Sequence, residues 1–249
     1  LAAGTEQRPA FYALRPGGWR DLVTLLHPPY TLWHLSYVAI GAAAAPHIYP
    51  GRLAAALAAF FLAVGVGAHS LDELQGRPLG TRLSRSVLVT LAAAGLGGGI
   101  AIGIAGVLLV SPTLAPLVIA GGFLVLAYNL ELLGGRFHTG FWFAAAWGAF
   151  PAFTGWWSNA LALHSVRQAI AAGAAVLACF WLSVAQRRLS TPVRELRRRT
   201  DAVTGEQRLS DGTSRPLDRP GLAAPLDGAL RALSIAVPLL AIAAIALRV

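Results

Sequence analysis

Charge is what this sequence has least of. Of its 249 residues only 12% are charged while 56% are hydrophobic, and the mean hydropathy is +0.61. A soluble domain carries about 25% charged residues, so there are too few charges here to cover a surface facing water. A lipid bilayer removes the need for such a surface. Cysteine is nearly absent as well: Cys179 is the single one, lies in an apolar run, and excludes any intrachain disulfide, which leaves it a packing role. Lysine and methionine do not occur, so all twenty basic residues are Arg, a pattern that reads as codon bias. The first twenty residues hold no apolar run of the signal-peptide kind. No hydrophilic stretch is long enough to enclose a second core, which points to one compact unit.

The net charge of +9 does not point to nucleic acid. The arginines sit between long uncharged stretches rather than on a groove-reading motif, an arrangement suited to membrane topology and anionic headgroups. A spanning helix needs about 20 mostly apolar residues. Seven segments qualify: 30–48, 52–69, 86–109, 113–131, 139–159, 167–185 and 229–247. With the N-terminus inside, 17 arginines fall on the inner side and 3 (Arg52, Arg167 and Arg248) on the outer. That is the asymmetry of the positive-inside rule. The expectation is an all-α, polytopic membrane bundle of about seven transmembrane helices, in a bacterial inner membrane with its N-terminus cytoplasmic. Its parts are a helical domain over 1–185, an Arg-rich cytoplasmic segment over 186–228, and a last helix over 229–249. Within the Arg-rich segment, Thr191 and Pro192 predict the start of a short helix, and Thr204 to Pro225 a linker. The glycines of the third span (Gly95, Gly97, Gly98, Gly99, Gly103 and Gly106) permit close helix approach, a broken helix being the alternative.

Acids in the hydrophobic part are Asp72, Glu73 and Glu131, all at inner helix ends. His69, Asp72 and Glu73 share one helical face, and imidazole with carboxylate one turn apart can chelate a metal ion. Glu131 and His138 flank the loop after the fourth span, beside Asn129 and Arg136, and His34 lies one turn inside the first span. The candidate metal ligands are thus His69, Asp72, Glu73, Glu131 and His138. Ionisable groups at membrane depth are a functional hypothesis by default, although Asp72 and Glu73 could instead pair with Arg77 and Arg82. His27, His47 and His164 read as headgroup-level residues. Tyr30, Trp33, Tyr49, Trp156 and Trp157 read as an aromatic belt, and Trp142, Trp147 and Trp181 as candidates to line an apolar chamber or to pack between helices.

The order of these features resembles the UbiA superfamily of intramembrane prenyltransferases over roughly residues 20–190. The resemblance rests on the run from His27 to Trp33, the loop from His69 to Thr81 with its Gly76-Arg77-Pro78-Leu79 stretch, the Tyr128-Asn129-Leu130-Glu131-Leu132 motif, and the run from Trp147 to Gly155. It implies an isoprenoid diphosphate held through a divalent ion between two Asp-rich motifs, and transfer to a lipophilic acceptor in an apolar chamber. The implied substrate-binding residues are His34, Arg77, Tyr128, Asn129, Arg136 and Arg187. This chain departs from the pattern in its letters. His69 and Glu73 stand at the spacing of the first motif, Arg77 replaces its last acid, and Gln186-Arg187-Arg188-Leu189-Ser190 replaces the second motif.

Three functions fit these observations. One is a metal-dependent prenyltransferase using Mg. Another is a membrane enzyme whose His and carboxylate ligands favour Fe, Mn or Zn. The third is a non-catalytic protein that binds a membrane lipid, isoprenoid or pigment, or another membrane protein. No nucleic-acid partner is expected.

Overall fold

The computed structural model describes residues 8–248. A short helix α1 (Trp19–Leu25) leads into α2 (Pro28–Ala43), α3 (Pro50–Leu74), α4 (Arg85–Leu109) and α5 (Pro112–Asn129). Helix α6 (140–160), α7 (Val166–Arg198) and α8 (Arg219–Ala246) follow. An antiparallel hairpin, β1 (Glu206–Arg208) with β2 (Ser214–Pro216), lies between the last two helices. Helices α3, α4, α5, α7 and α8 are each long and apolar enough to cross a membrane, which is compatible with an integral multi-pass protein. The other two expected spans are helical too, but α2 has 16 residues and α6 breaks its apolar run with Trp, Gly and Asn. Leu108, Ile119, Val166, Ile170, Ile235 and Ile242 stand exposed on helix flanks. A water-facing surface rarely tolerates so many large apolar side chains.

Helix starts follow the local chemistry of the chain. Ser84, Thr139, Ser165 and Asp218 each accept a hydrogen bond from a backbone N–H in the first turn that follows. Pro28, Pro50, Pro112 and Pro220 stand at first-turn positions where no backbone donor is missed.

The helix expected to begin at Thr191 does not exist as a separate element. Instead α7 runs unbroken through Thr191 and Pro192 to Arg198, well past residue 185, and α8 starts at Arg219 rather than at 229. The reason is tertiary. Gln186, Ser190 and Val193 fall on one helical face and are buried, and Val193 packs in one cluster with Leu230 and Val237 of α8. That burial offsets the backbone bond lost at Pro192, a defect worth roughly 3 kcal/mol in an isolated helix. Trp33 also departs from expectation. It is fully buried and donates to the Tyr37 hydroxyl, because the inward face of α2 packs on α6 and α8.

Small residues set the distances between helices. Helix α4 is continuous through its glycines, and Gly95 and Gly99 face α3. The closest approach is between α2 and α6. A Cβ on Gly41 would lie 1.8 Å from the Ala152 carbonyl oxygen, and one on Gly155 would lie 2.0 Å from that of Val38. The two backbones touch, and no side chain fits between them. Gly41→Val or Gly155→Val is therefore expected to destabilise the protein by about 3 kcal/mol or more. Gly97→Ala, with open space around it, is expected to leave thermal unfolding in detergent unchanged. Equal melting of all three variants would show that this crossing does not hold the fold.

Candidate functional site: a polar cavity at one end of the bundle

The start of α2, the ends of α3 and α5, the start of α6, the far end of α7 and the near end of α8 meet at one end of the molecule. They are the helix ends that the arginine distribution assigns to one side. Between them lies a cavity of about 360 Å³.

Helix α2 contributes Tyr30 and His34 to its wall, its capping residue His27 joins them, and α3 contributes His69 and Asp72. His34 donates from Nδ1 to the Trp147 carbonyl (2.7 Å), and His69 from Nδ1 to the Gly65 carbonyl (3.1 Å). Both acceptors lie in π-helical stretches, Ala145–Ala149 and Phe61–Ala68, which are frequent at functional sites. His27 stacks on His69 with ring centroids 4.1 Å apart, and its Nδ1 lies 2.6 Å from the Tyr12 hydroxyl. Burial, then the neighbouring His69, holds the His27 imidazole well below its usual pKa. Burial likewise pushes the Tyr12 hydroxyl well above its own, with Tyr30 adding to the shift. The Tyr12–His27 contact therefore joins two neutral groups.

The opposite wall is basic. Helix α7 presents Gln186, Arg187, Ser190, Arg194, Arg197 and Arg198, joined by Arg199 just past its end. Arg187 donates to the Tyr128 hydroxyl (2.6 Å) and lies over the Phe143 ring. Tyr128 in turn stacks on His138, whose Nδ1 donates to the Tyr128 carbonyl (3.1 Å). Arg197 forms an ion pair with Asp227 of α8, largely shielded from solvent. Five arginines thus face three carboxylates (Asp72, Glu131 and Asp227) across this space. Four buried polar atoms of the wall lack a hydrogen-bond partner among the described residues: His27 Nε2, Gln186 Oε1, Arg197 Nη1 and Asp227 Oδ1. Buried polar atoms are rarely left unpaired, so the cavity suits a polar guest.

The expected site residues divide. His69, Asp72, Glu131 and His138 line the cavity, as do His34, Tyr128, Asn129 and Arg187. Glu73 does not. Its side chain is fully buried and accepts from the backbone N–H of Leu79 (2.9 Å) and Thr81 (2.8 Å) and from the Thr81 hydroxyl (2.8 Å). It anchors the loop after α3, and its oxygens are already taken by those donors. Nor does it pair with an arginine. Arg77 donates to the carbonyls of Thr81 and Leu83 outside the cavity, and the backbone N–H of Arg82 goes to Asp21. Arg136 is exposed and away from the wall. His138 approaches Glu131 at 3.8 Å, but among the described residues no three His, Cys, Asp or Glu side chains converge as metal ligands. The five expected ligands therefore do not form one set that fits a metal.

Sequence reasoning missed His27, Tyr12, Gln186, Ser190, Arg194, Arg197 and Asp227. His27 lines the cavity, since the left-handed turn at its position (φ 46°) starts α2 there. The α7 residues had a signal: Gln186, Ser190, Val193 and Arg197 keep helical spacing straight through Pro192. Trp147 lines the cavity, whereas Trp181 is 61% exposed on the bundle exterior.

A second, apolar cleft of about 160 Å³ runs between α3, α4, α5 and α6, from Arg52 and Ser158 at the far end to Val64 and Trp147. Val64 and Trp147 also line the polar cavity, so the two spaces share a wall. No family model, curated protein or solved structure matches the chain.

Neighbours in sequence, Asp72 and Glu73 should respond differently to substitution. Glu73→Ala loses three buried hydrogen bonds to a charged group and is expected to lower stability by about 3 kcal/mol or more. Asp72→Asn, with no hydrogen-bonding partner to lose among the described residues, is expected to melt like the parent protein. Thermal unfolding in detergent checks this, and the reverse order would make Asp72 the loop anchor.

Proposed function

We propose that this chain is a divergent, seven-span UbiA-like membrane protein that holds an isoprenoid diphosphate, with transfer to a lipophilic acceptor as its activity. The observation that carries the reading is the wall shared by a basic polar cavity and an apolar cleft at Val64 and Trp147. An amphiphile with an anionic head and an unsaturated hydrocarbon tail matches that pair of spaces in both chemistry and order. Arg187, Arg194, Arg197 and Arg198 would bind the diphosphate directly through charge-assisted hydrogen bonds. This role for Arg187 agrees with the residue run that stands where the family keeps its second Asp-rich motif. The same arginines would neutralise charge on the departing diphosphate. Asp72 and Glu131 are the cavity carboxylates that accept no hydrogen bond among the described residues. Tyr128, His34 and Phe143 would border the reacting carbon and keep water from it. The orientation that fits places the N-terminus and the cavity on the cytoplasmic side of a bacterial inner membrane, where soluble diphosphates are supplied.

Binding of labelled farnesyl and geranylgeranyl diphosphate to the purified protein, with and without quinone and phenol acceptors, tests the proposal. Arg187→Gln is expected to weaken binding by about tenfold or more. Val64→Phe, which narrows the passage between the spaces, is expected to lower affinity for the prenyl compounds while leaving inorganic diphosphate binding intact. Binding without transfer to any acceptor would favour a carrier or sensor of the same ligand. Failure to bind any prenyl diphosphate would overturn the reading.

A further inference from the structure

Beside the polar cavity, on the outer surface of the same end, lies a hollow of about 830 Å³ between the N-terminal segment and the loop after α3. Its charged lining consists of Arg8, Arg15, Arg77 and Arg198, with no carboxylate. Among the described residues none of the four has an acid within ion-pairing distance. Four cations around one recess repel each other unless an anion sits among them. Two acids beside the hollow spend their oxygens on its backbone rather than on its arginines. Glu73 holds the loop wall by its bonds to Leu79 and Thr81. Asp21 joins the two walls, accepting from the backbone N–H of Gly17 (2.9 Å) on one side and of Arg82 (3.0 Å) on the other. The loop wall is fixed further by three residues at positive φ, namely Gly76, Arg77 and Gly80. The Arg77 guanidinium is held by the Thr81 and Leu83 carbonyls through one nitrogen, Nη1.

We infer that this hollow is a second anion site, separate from the polar cavity, that takes the phosphate group of an anionic molecule at the level of the lipid headgroups. Planar guanidinium groups from two directions match the several oxygens of a phosphate. The location at a helix end suits the phosphodiester of an anionic lipid, although free phosphate offers the same oxygens. Pro9, Pro78 and Arg198 form walls of both spaces, so an anion here sits at the threshold of the polar cavity. The inference does not depend on what the polar cavity holds.

The test uses the full chain in nanodiscs of phosphatidylglycerol or phosphatidylcholine, with retained lipid counted by native mass spectrometry. The parent protein is expected to retain phosphatidylglycerol and not phosphatidylcholine. In Arg8→Gln/Arg15→Gln, whose side chains make no hydrogen bond within the described residues, retention should fall on the order of tenfold. Arg194→Gln, which lines only the polar cavity, should retain lipid as the parent does. Displacement of the lipid by millimolar inorganic phosphate would show that any phosphate suffices, and persistence would show that the lipid is required. Either result supports the site. Equal retention of the two lipids, equal retention by the parent and the double variant, or an equal loss in Arg194→Gln would overturn it.

Discussion

Arg197 and Asp227 meet where α7 and α8 close one end of the bundle, and both side chains are largely shielded from solvent. Removing two charges from water carries a large desolvation cost, which their mutual attraction offsets only while the geometry is held. The pair therefore depends on α7 staying helical to Arg198, and the polar cavity depends on the pair. A helix ending at residue 185 would leave Arg187, Arg194 and Arg197 with no fixed direction. With the helix intact, Gln186, Ser190 and Arg197 lie along one edge of the cavity. Since Arg197 Nη1 and Asp227 Oδ1 find no further partner among the described residues, the pair braces the wall and still offers hydrogen bonds to a guest.

The remaining walls follow from helix contacts deeper in the bundle. The backbone contact of α2 with α6 at Gly41 and Gly155 fixes where His34 stands relative to Trp147. The π-helical stretches of α3 and α6 lie at that level, and each supplies a carbonyl to an imidazole. On the far side of Val64 and Trp147 the environment becomes apolar within one residue layer. Small side chains such as Ala59, Ala63, Gly103 and Gly121 leave room there for hydrocarbon. Charge recognition and hydrocarbon accommodation are thereby separated by a single shared wall.

Much of this was legible in the sequence. The scarcity of charge pointed to a membrane, the long apolar runs located the helices, and the arginine distribution grouped the helix ends that enclose the cavity. His34, His69, Asp72, Tyr128, Asn129, Glu131, His138 and Arg187 were legible for the same reason, being polar groups at the ends of apolar runs. Glu73 was misread because residue type and spacing do not reveal hydrogen-bond partners. On the helical face His69, Asp72 and Glu73 look alike, but only Glu73 meets the backbone donors of the loop that follows.

What the sequence determined by itself was the helical class, the long apolar runs that suit a membrane, and the placing of polar groups at the ends of those runs. These follow from local composition and from the energetics of placing charge in lipid. Only the tertiary structure decided the continuity of α7 through Pro192, the place of His27 in the cavity wall, the burial of Trp33, and the direction in which each acid points. Each of those outcomes is a competition between a local preference and a contact made by residues distant in the chain. Pro192 alone disfavours a helix, and it is overruled because Val193 packs in one cluster with Leu230 and Val237 and Arg197 finds Asp227.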